Sequence, residues 1–199
     1  NIVKKELQYV GSILQEDGKN YHAWSHRQWL IRSIDSQHIW DQELQYTNNL
    51  IQLDMRNNSA WNQRWFVCHM GKLDQKLPLL ISKQECDYAM DVAREDPYNE
   101  SPWRYLIGLV KEHPHPTKTQ LAQTYEQSAI DLKDVLIAAE RDPDGCVNLN
   151  SARIDLLQIM GKHNDAIALC TGMANQYDVI RHKYWNLRIK EMEAEATNK

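Results

Sequence analysis

Apolar residues return every three or four positions along most of the chain. Trp40, Leu44, Thr47 and Ile51 step by four, three and four, and Leu121, Tyr125, Ser128, Leu132, Val135 and Ala139 keep that rhythm for nearly three heptads. Such spacing lines one face of an α-helix. Further helices are predicted from Ser59 to Met70 and from Ser101 to Lys111, with Asn20, Asn57 and Asn99 placed where a side-chain oxygen accepts from free N–H groups of a first helical turn. Ile2, Leu7, Val10 and Leu14 also have helical spacing, and with no unit before them they are expected to form an uncovered apolar face. No stretch alternates with period two over a strand's length, so no sheet is expected. Two prolines break the pattern in Glu112-His113-Pro114-His115-Pro116-Thr117, which is read as separating two helix pairs rather than two domains.

The pattern repeats on a larger scale. Asp17 precedes Trp24, Asp54 precedes Trp61, Asp96 precedes Trp103 and Asp178 precedes Trp185, each by seven positions, while Asp142 precedes Leu149 by the same interval in a degraded copy. Successive aspartates lie 37, 42, 46 and 36 residues apart, in the range of stacked helix pairs. Within the units Asn20-Tyr21-His22-Ala23-Trp24 aligns with Asn57-Asn58-Ser59-Ala60-Trp61 and Asn99-Glu100-Ser101-Pro102-Trp103, and arginine returns three places after tryptophan in Arg27, Arg64 and Arg188. The expectation is an all-α solenoid of about five helix-pair repeats, a single helical-repeat domain over residues 1–199 with an extended concave face suited to a partner.

Composition sharpens this reading and excludes some chemistry. Seven tryptophans stand against one phenylalanine, which fits a positional requirement of the repeat. The net charge of -4 gives no general attraction to nucleic acid. Cys68, Cys86, Cys146 and Cys170 form no metal-binding spacing and read as buried reduced thiols. His113 and His115 lack further ligands nearby, so no metal site is expected. Neither a Ser-His-Asp arrangement nor a glycine-rich phosphate loop can be assembled. With no apolar run long enough to span a bilayer and no signal-peptide core, the expectation is a cytoplasmic protein without membrane insertion.

The Asn-x-x-Ala-Trp-x-x-Arg signature in a helix-pair repeat of roughly forty residues resembles that of protein prenyltransferase alpha subunits. The strings Lys19-Asn20-Tyr21-His22-Ala23-Trp24, Arg56 to Arg64 and Asn99 to Trp103 look closer to the subunit shared by farnesyltransferase and geranylgeranyltransferase type I than to its Rab-specific relative. The resemblance covers about Glu6 to Trp185 and is faint in the fourth unit. It implies a right-handed α–α superhelix, a crescent of helix pairs around a beta subunit that holds zinc and most of the pocket for an isoprenoid diphosphate and a C-a-a-X protein, with magnesium also used by the holoenzyme. The reaction so implied joins the isoprenoid C1 to the cysteine sulfur. The family's amino-terminal repeats, which carry the lysine and tyrosine nearest the diphosphate, are not in this sequence, so the chain alone is expected to be inactive.

Trp24, Trp61, Trp103 and Trp185 with Arg27, Arg64 and Arg188 are read as structural residues of the repeat, the indoles packing and the guanidinium groups bonding to loop carbonyls or to a carboxylate such as the recurring aspartate. Lys19, Asn20, Tyr21 and His22 place a cation, an amide, a phenol and an imidazole at the mouth of a helix, and with Asn57 and Asn58 they are the candidates for facing substrate or partner. No residue is assigned a catalytic role. The rival reading is a non-catalytic helical-repeat scaffold that binds proteins.

Overall fold

The computed structural model describes residues 2–71 and 76–197. Among the described residues the regular structure is helical and no strand occurs. The chain divides into two compact units, Asn1–Leu77 and Pro78–Lys199. The first holds two helix pairs, α1 (Ile2–Glu16) with α2 (Tyr21–Ile34) and α3 (Gln37–Leu53) with α4 (Asn58–Cys68). The second holds three: α5 (Leu79–Glu95) with α6 (Glu100–Glu112), α7 (Thr117–Ala138) with α8 (Val147–Ile159), and α9 (His163–Gly172) with α10 (His182–Thr197). A π turn over Met173–Tyr177 and a short 3-10 turn over Val179–Arg181 lead into α10. The helix pairs coincide with the units set out by the aspartates and tryptophans.

Local chemistry explains why each pair turns where it does. The aspartate closes the turn: the Oδ1 atoms of Asp17, Asp54, Asp96 and Asp142 accept from the N–H two residues on, at 3.1, 2.9, 3.2 and 3.0 Å. Asparagine then caps the second helix, Asn20 accepting from Ala23 N–H at 3.0 Å, Asn57 from Ser59 and Ala60, and Asn99 from Ser101 at 3.1 Å. These bonds satisfy donors that the helix itself leaves open. At the other end of α4 the chain leaves the helix through Met70 and Gly71, both at positive φ, and Gly71 N–H bonds back to Phe66 C=O. A side chain at Gly71 would start 3.0 Å from Arg32 Nε, so the left-handed exit and the close packing both call for glycine.

In the first unit Val10, Leu14, Ala23, Trp24 and Leu30 pack with Tyr46 and Leu50, and Ile31 packs with Trp40, Phe66 and Val67. In the second, Ile154, Leu157, Cys170, Met173, Trp185 and Met192 form one cluster. The packing corrects three expectations. Val10 and Leu14 are buried within their own unit, so of the face expected to be uncovered Ile2 is the exposed member and Leu7 is half-buried. On helix α7 Leu121, Tyr125 and Leu132 of the predicted line are buried, but the buried face also takes in Ala122, Ala129 and Leu136, whereas Val135 and Ala139 are exposed. The buried face includes Glu126, to which Arg153 of α8 donates at 3.0 and 2.8 Å. Finally α4 ends at Cys68, two residues before the predicted Met70, because Gly71 terminates it.

Candidate functional site

Each recurring indole is buried and donates its N–H to a fixed acceptor. Trp24, Trp61 and Trp103 give Nε1–H to the carbonyls of Gly18, Met55 and Pro97, at 2.9, 3.0 and 3.0 Å, in each case the residue that follows the turn-closing aspartate. Leu149 of the fourth unit has no N–H to give. The neighbouring Asn150 takes over, its Nδ2 donating to Pro143 C=O, the equivalent carbonyl, at 3.1 Å and to Asp144 C=O at 2.9 Å. In the last unit Trp185 donates to the aspartate itself, Asp178 Oδ2, at 2.8 Å. Thus the aspartate-to-tryptophan interval encodes a clamp between the second helix and the turn ahead of it.

Two of the arginines bond to carboxylates, as expected, though not to the recurring aspartates. Arg27 is buried and pairs with Glu43 of α3 through two bonds of 2.7 Å, while its Nη1 donates to Leu7 C=O at 3.0 Å and its guanidinium lies 3.7 Å above the Tyr46 ring. Arg64 donates to Asn48 Oδ1, and Arg188 to Asp155 at 3.0 Å and Gln158 at 2.7 Å. The partners are therefore residues of neighbouring helices rather than the recurring aspartates, because the guanidinium leaves the second helix three residues past the tryptophan, away from the turn. Glu43, Tyr46 and Asp155 were missed as partners. The signal for Glu43 lay in the register: Glu6, Glu43 and Glu85 each stand eleven residues before the aspartate of their unit.

The remaining candidates gather at the turns of the first unit. Asn20 and Asn57 are committed to capping through their Oδ1 atoms. The two turns lie side by side, since a Cβ on Gly18 would stand 3.3 Å from Asn57 Nδ2. Around them Lys19, Tyr21, His22 and Asn58 are exposed. The rings of Tyr21 and His22 meet edge to face at 5.6 Å, so phenol and imidazole project together beside Lys19 at the positive end of α2. This edge offers an ammonium, a phenol O–H and a ring nitrogen to an anionic group. The corresponding turns of the second unit are bonded to one another instead: Tyr98 Oη donates to Asp142 C=O at 3.3 Å, Asn148 Nδ2 to Tyr98 C=O at 2.7 Å and Cys146 Sγ to Pro97 C=O at 3.2 Å.

Among the described residues no three histidine, cysteine or carboxylate side chains are grouped to hold a metal ion. His113 bonds to Ser82 Oγ at 2.9 Å and His115 to Thr119 Oγ1 at 2.8 Å. Cys86, Cys146 and Cys170 are buried and free, while Cys68 is partly exposed, against the expectation of four buried thiols. Burial pushes the Cys86 thiol up to about 12 and that of Cys170 to about 11, so neither is a thiolate near neutral pH. No described helix is long and apolar enough to cross a membrane.

The clamp and the stacked pairs define a class. Residues 3–34 and 40–71 each match the protein prenyltransferase alpha subunit repeat. Over 186 residues, 92% of its length, it is 35% identical to the protein farnesyltransferase/geranylgeranyltransferase type-1 subunit alpha of Dictyostelium discoideum. It spans 43% of the length of that relative. The fold also matches a chain in the structure of Candida albicans protein geranylgeranyltransferase-I complexed with GGPP, with a TM-score of 0.74 over 95% of this chain and 59% of that one. Sequence identity there is 23%, and the likeness is one of fold.

Proposed function

We propose that this chain is part of the alpha subunit of a heterodimeric protein farnesyltransferase or geranylgeranyltransferase type I. Its role is to support transfer of an isoprenoid from its diphosphate to the cysteine of a C-terminal C-a-a-X motif. The observation that carries this reading is the open turn edge of the first unit, where Lys19, Tyr21 and His22 extend from a capped helix start, in a chain 35% identical over 186 residues to such a subunit. In the proposed enzyme the edge faces the beta subunit and the diphosphate. Lys19 and Tyr21 supply donors to charge that grows on the departing diphosphate, at the helix end where the backbone dipole also favours negative charge. Zinc and magnesium are assigned to the partner and the substrate.

The test is reconstitution of the full alpha subunit with its beta subunit, followed by single substitutions. Lys19→Ala and Tyr21→Phe are expected to lower turnover by about tenfold, equivalent to about 1.4 kcal/mol of transition-state stabilisation, or to weaken subunit association. Lys118→Ala, at the first turn of α7, is expected to do neither. Equal behaviour of the Lys19 and Lys118 variants would remove the edge from the mechanism and favour a passive scaffold.

A further inference from the structure

Two aspartate–glycine pairs occur in the sequence, Asp17-Gly18 and Asp144-Gly145, and each stands in the turn between the two helices of a pair. Such a pair is open to a spontaneous reaction, since glycine has no side chain to keep its amide nitrogen from the carboxyl before it. The nitrogen attacks Cγ, the N–H proton and one carboxyl oxygen leave as water, and a five-membered succinimide forms. Water then opens the ring at either carbonyl. Opening at the former Cγ restores aspartate. Opening at the backbone carbonyl leaves the chain running through Cβ, as isoaspartate, with a free α-carboxylate. The water lost is matched by the water gained, and no electrons are exchanged.

The fold treats the two pairs differently. Asp17 is exposed, and its Oδ1 accepts from Lys19 N–H at 3.1 Å. The ring closed by that bond already contains the five atoms of a succinimide, from Cγ through Cβ, Cα and the carbonyl carbon to Gly18 N. Packing also favours glycine here, because a Cβ would stand 3.3 Å from Asn57 Nδ2 of the neighbouring turn. The Asp144 carboxylate is committed elsewhere, its Oδ1 accepting from Lys133 Nζ of α7 at 2.7 Å. The other aspartates that share the Asp17 turn, Asp54, Asp96 and Asp142, are followed by Met55, Pro97 and Pro143. Proline has no N–H to lose, and the methionine side chain crowds its own amide.

We propose that Asp17 is a modification site at which succinimide formation and conversion to isoaspartate proceed in the folded protein, while Lys133 holds Asp144 back from the same reaction. The conversion acts on the clamp of the first unit. Trp24 Nε1–H is bonded to Gly18 C=O at 2.9 Å, and the methylene added to the backbone lies just ahead of that residue. The carboxylate left behind hangs directly from Cα, one carbon shorter than the original side chain, so the bond to Lys19 N–H is lost with it. The modified turn displays an isoaspartyl carboxylate, the group that a methyltransferase acting on damaged protein esterifies. None of this depends on the enzymatic reading, since the readout is a covalent label and not turnover.

The test is incubation of the full chain near neutral pH in heavy-oxygen water, with helicity followed by circular dichroism. Each passage through the ring places a heavy oxygen in the aspartyl residue, and proteolysis with mass spectrometry assigns it. Chromatography of the isomeric peptides then separates isoaspartate from aspartate. In the folded chain label is expected about tenfold faster at Asp17 than at Asp144, and at similar rates in urea, where the turns are gone. Lys133→Ala should raise labelling at Asp144 and leave Asp17 unchanged, and Met55→Gly should bring labelling to Asp54. Equal rates at Asp17 and Asp144 in the folded chain overturn the proposal, as does labelling of Asp17 that requires urea. A helical Lys133→Ala chain in which Asp144 stays unlabelled also overturns it. If the chain by itself is not helical, the same labelling is run on the full alpha subunit with its beta subunit, where label at Asp17 and none at Asp144 supports the site and any other pattern overturns it.

Discussion

A buried indole brings a large apolar surface and one N–H that must find an acceptor. In this protein the acceptor is a turn carbonyl or the aspartate, and Asn150 shows that the bond, rather than the ring, is what the turn of the fourth pair retains. Asn150→Leu is therefore expected to cost about 1–3 kcal/mol, the penalty of leaving buried acceptors unpaired, measurable as a lower urea midpoint at unchanged slope. The cysteines give a second prediction at this scale. Cys68 is expected to react first with a thiol reagent near neutral pH and the three buried thiols only on unfolding, so that Cys68→Ser abolishes the rapid phase. Cys86 also links stability to pH. Its ordinary value of 9.0 is raised to about 12 by burial, so the folded state holds the proton more tightly than the unfolded chain. The stability this contributes is whole below about pH 9 and is lost as pH climbs towards about 12. The fall in urea midpoint between about pH 8 and about pH 10.5 should be shallower in Cys86→Ala.

At the scale of elements, the pairs are joined by polar contacts as much as by apolar packing. Arg27 and Glu43 are both buried, and each has its donors and acceptors met by Leu7 C=O, Gln63 and the other. Removing one partner strands a charge, so Glu43→Gln should lower stability by about 3–5 kcal/mol, whereas Glu100→Gln, at an exposed ion pair with Arg104, should change it by less than about 1 kcal/mol. The caps act on single helices and cost less: Asn99→Ala is expected to lose about 1 kcal/mol, seen as a lower thermal midpoint. These three values separate a joint between pairs, a surface ion pair and a helix start.

At the scale of the whole molecule the question is where a metal would sit. Among the described residues no three histidine, cysteine or carboxylate side chains are grouped to hold a metal ion. Calorimetric titration of the isolated chain with zinc is expected to show no stoichiometric binding at submicromolar affinity, and such binding would contradict the assignment of the metal to a partner. The chain spans 43% of its Dictyostelium relative, so activity is a property to be sought in the full subunit and its complex.

Helix pairs, their boundaries and the capping asparagines were legible in the sequence because they depend on bonds between residues two to seven positions apart, where order along the chain already fixes proximity. The aspartate-to-tryptophan interval is such a bond. Lys19, Tyr21 and His22 could be picked out for the same reason, as residues of one turn. The partners of the arginines were not legible, since Arg27 and Glu43 are sixteen residues apart and meet only when α2 and α3 pack. The end of the α7 stripe was likewise beyond reach: a stripe through Val135 and one through Leu136 differ by a single residue step, and only packing across the pair, where Arg153 also meets Glu126, distinguishes them. Local hydrogen bonding determined where each helix begins and turns, while side-chain packing between helices decided which face is buried and which charges meet.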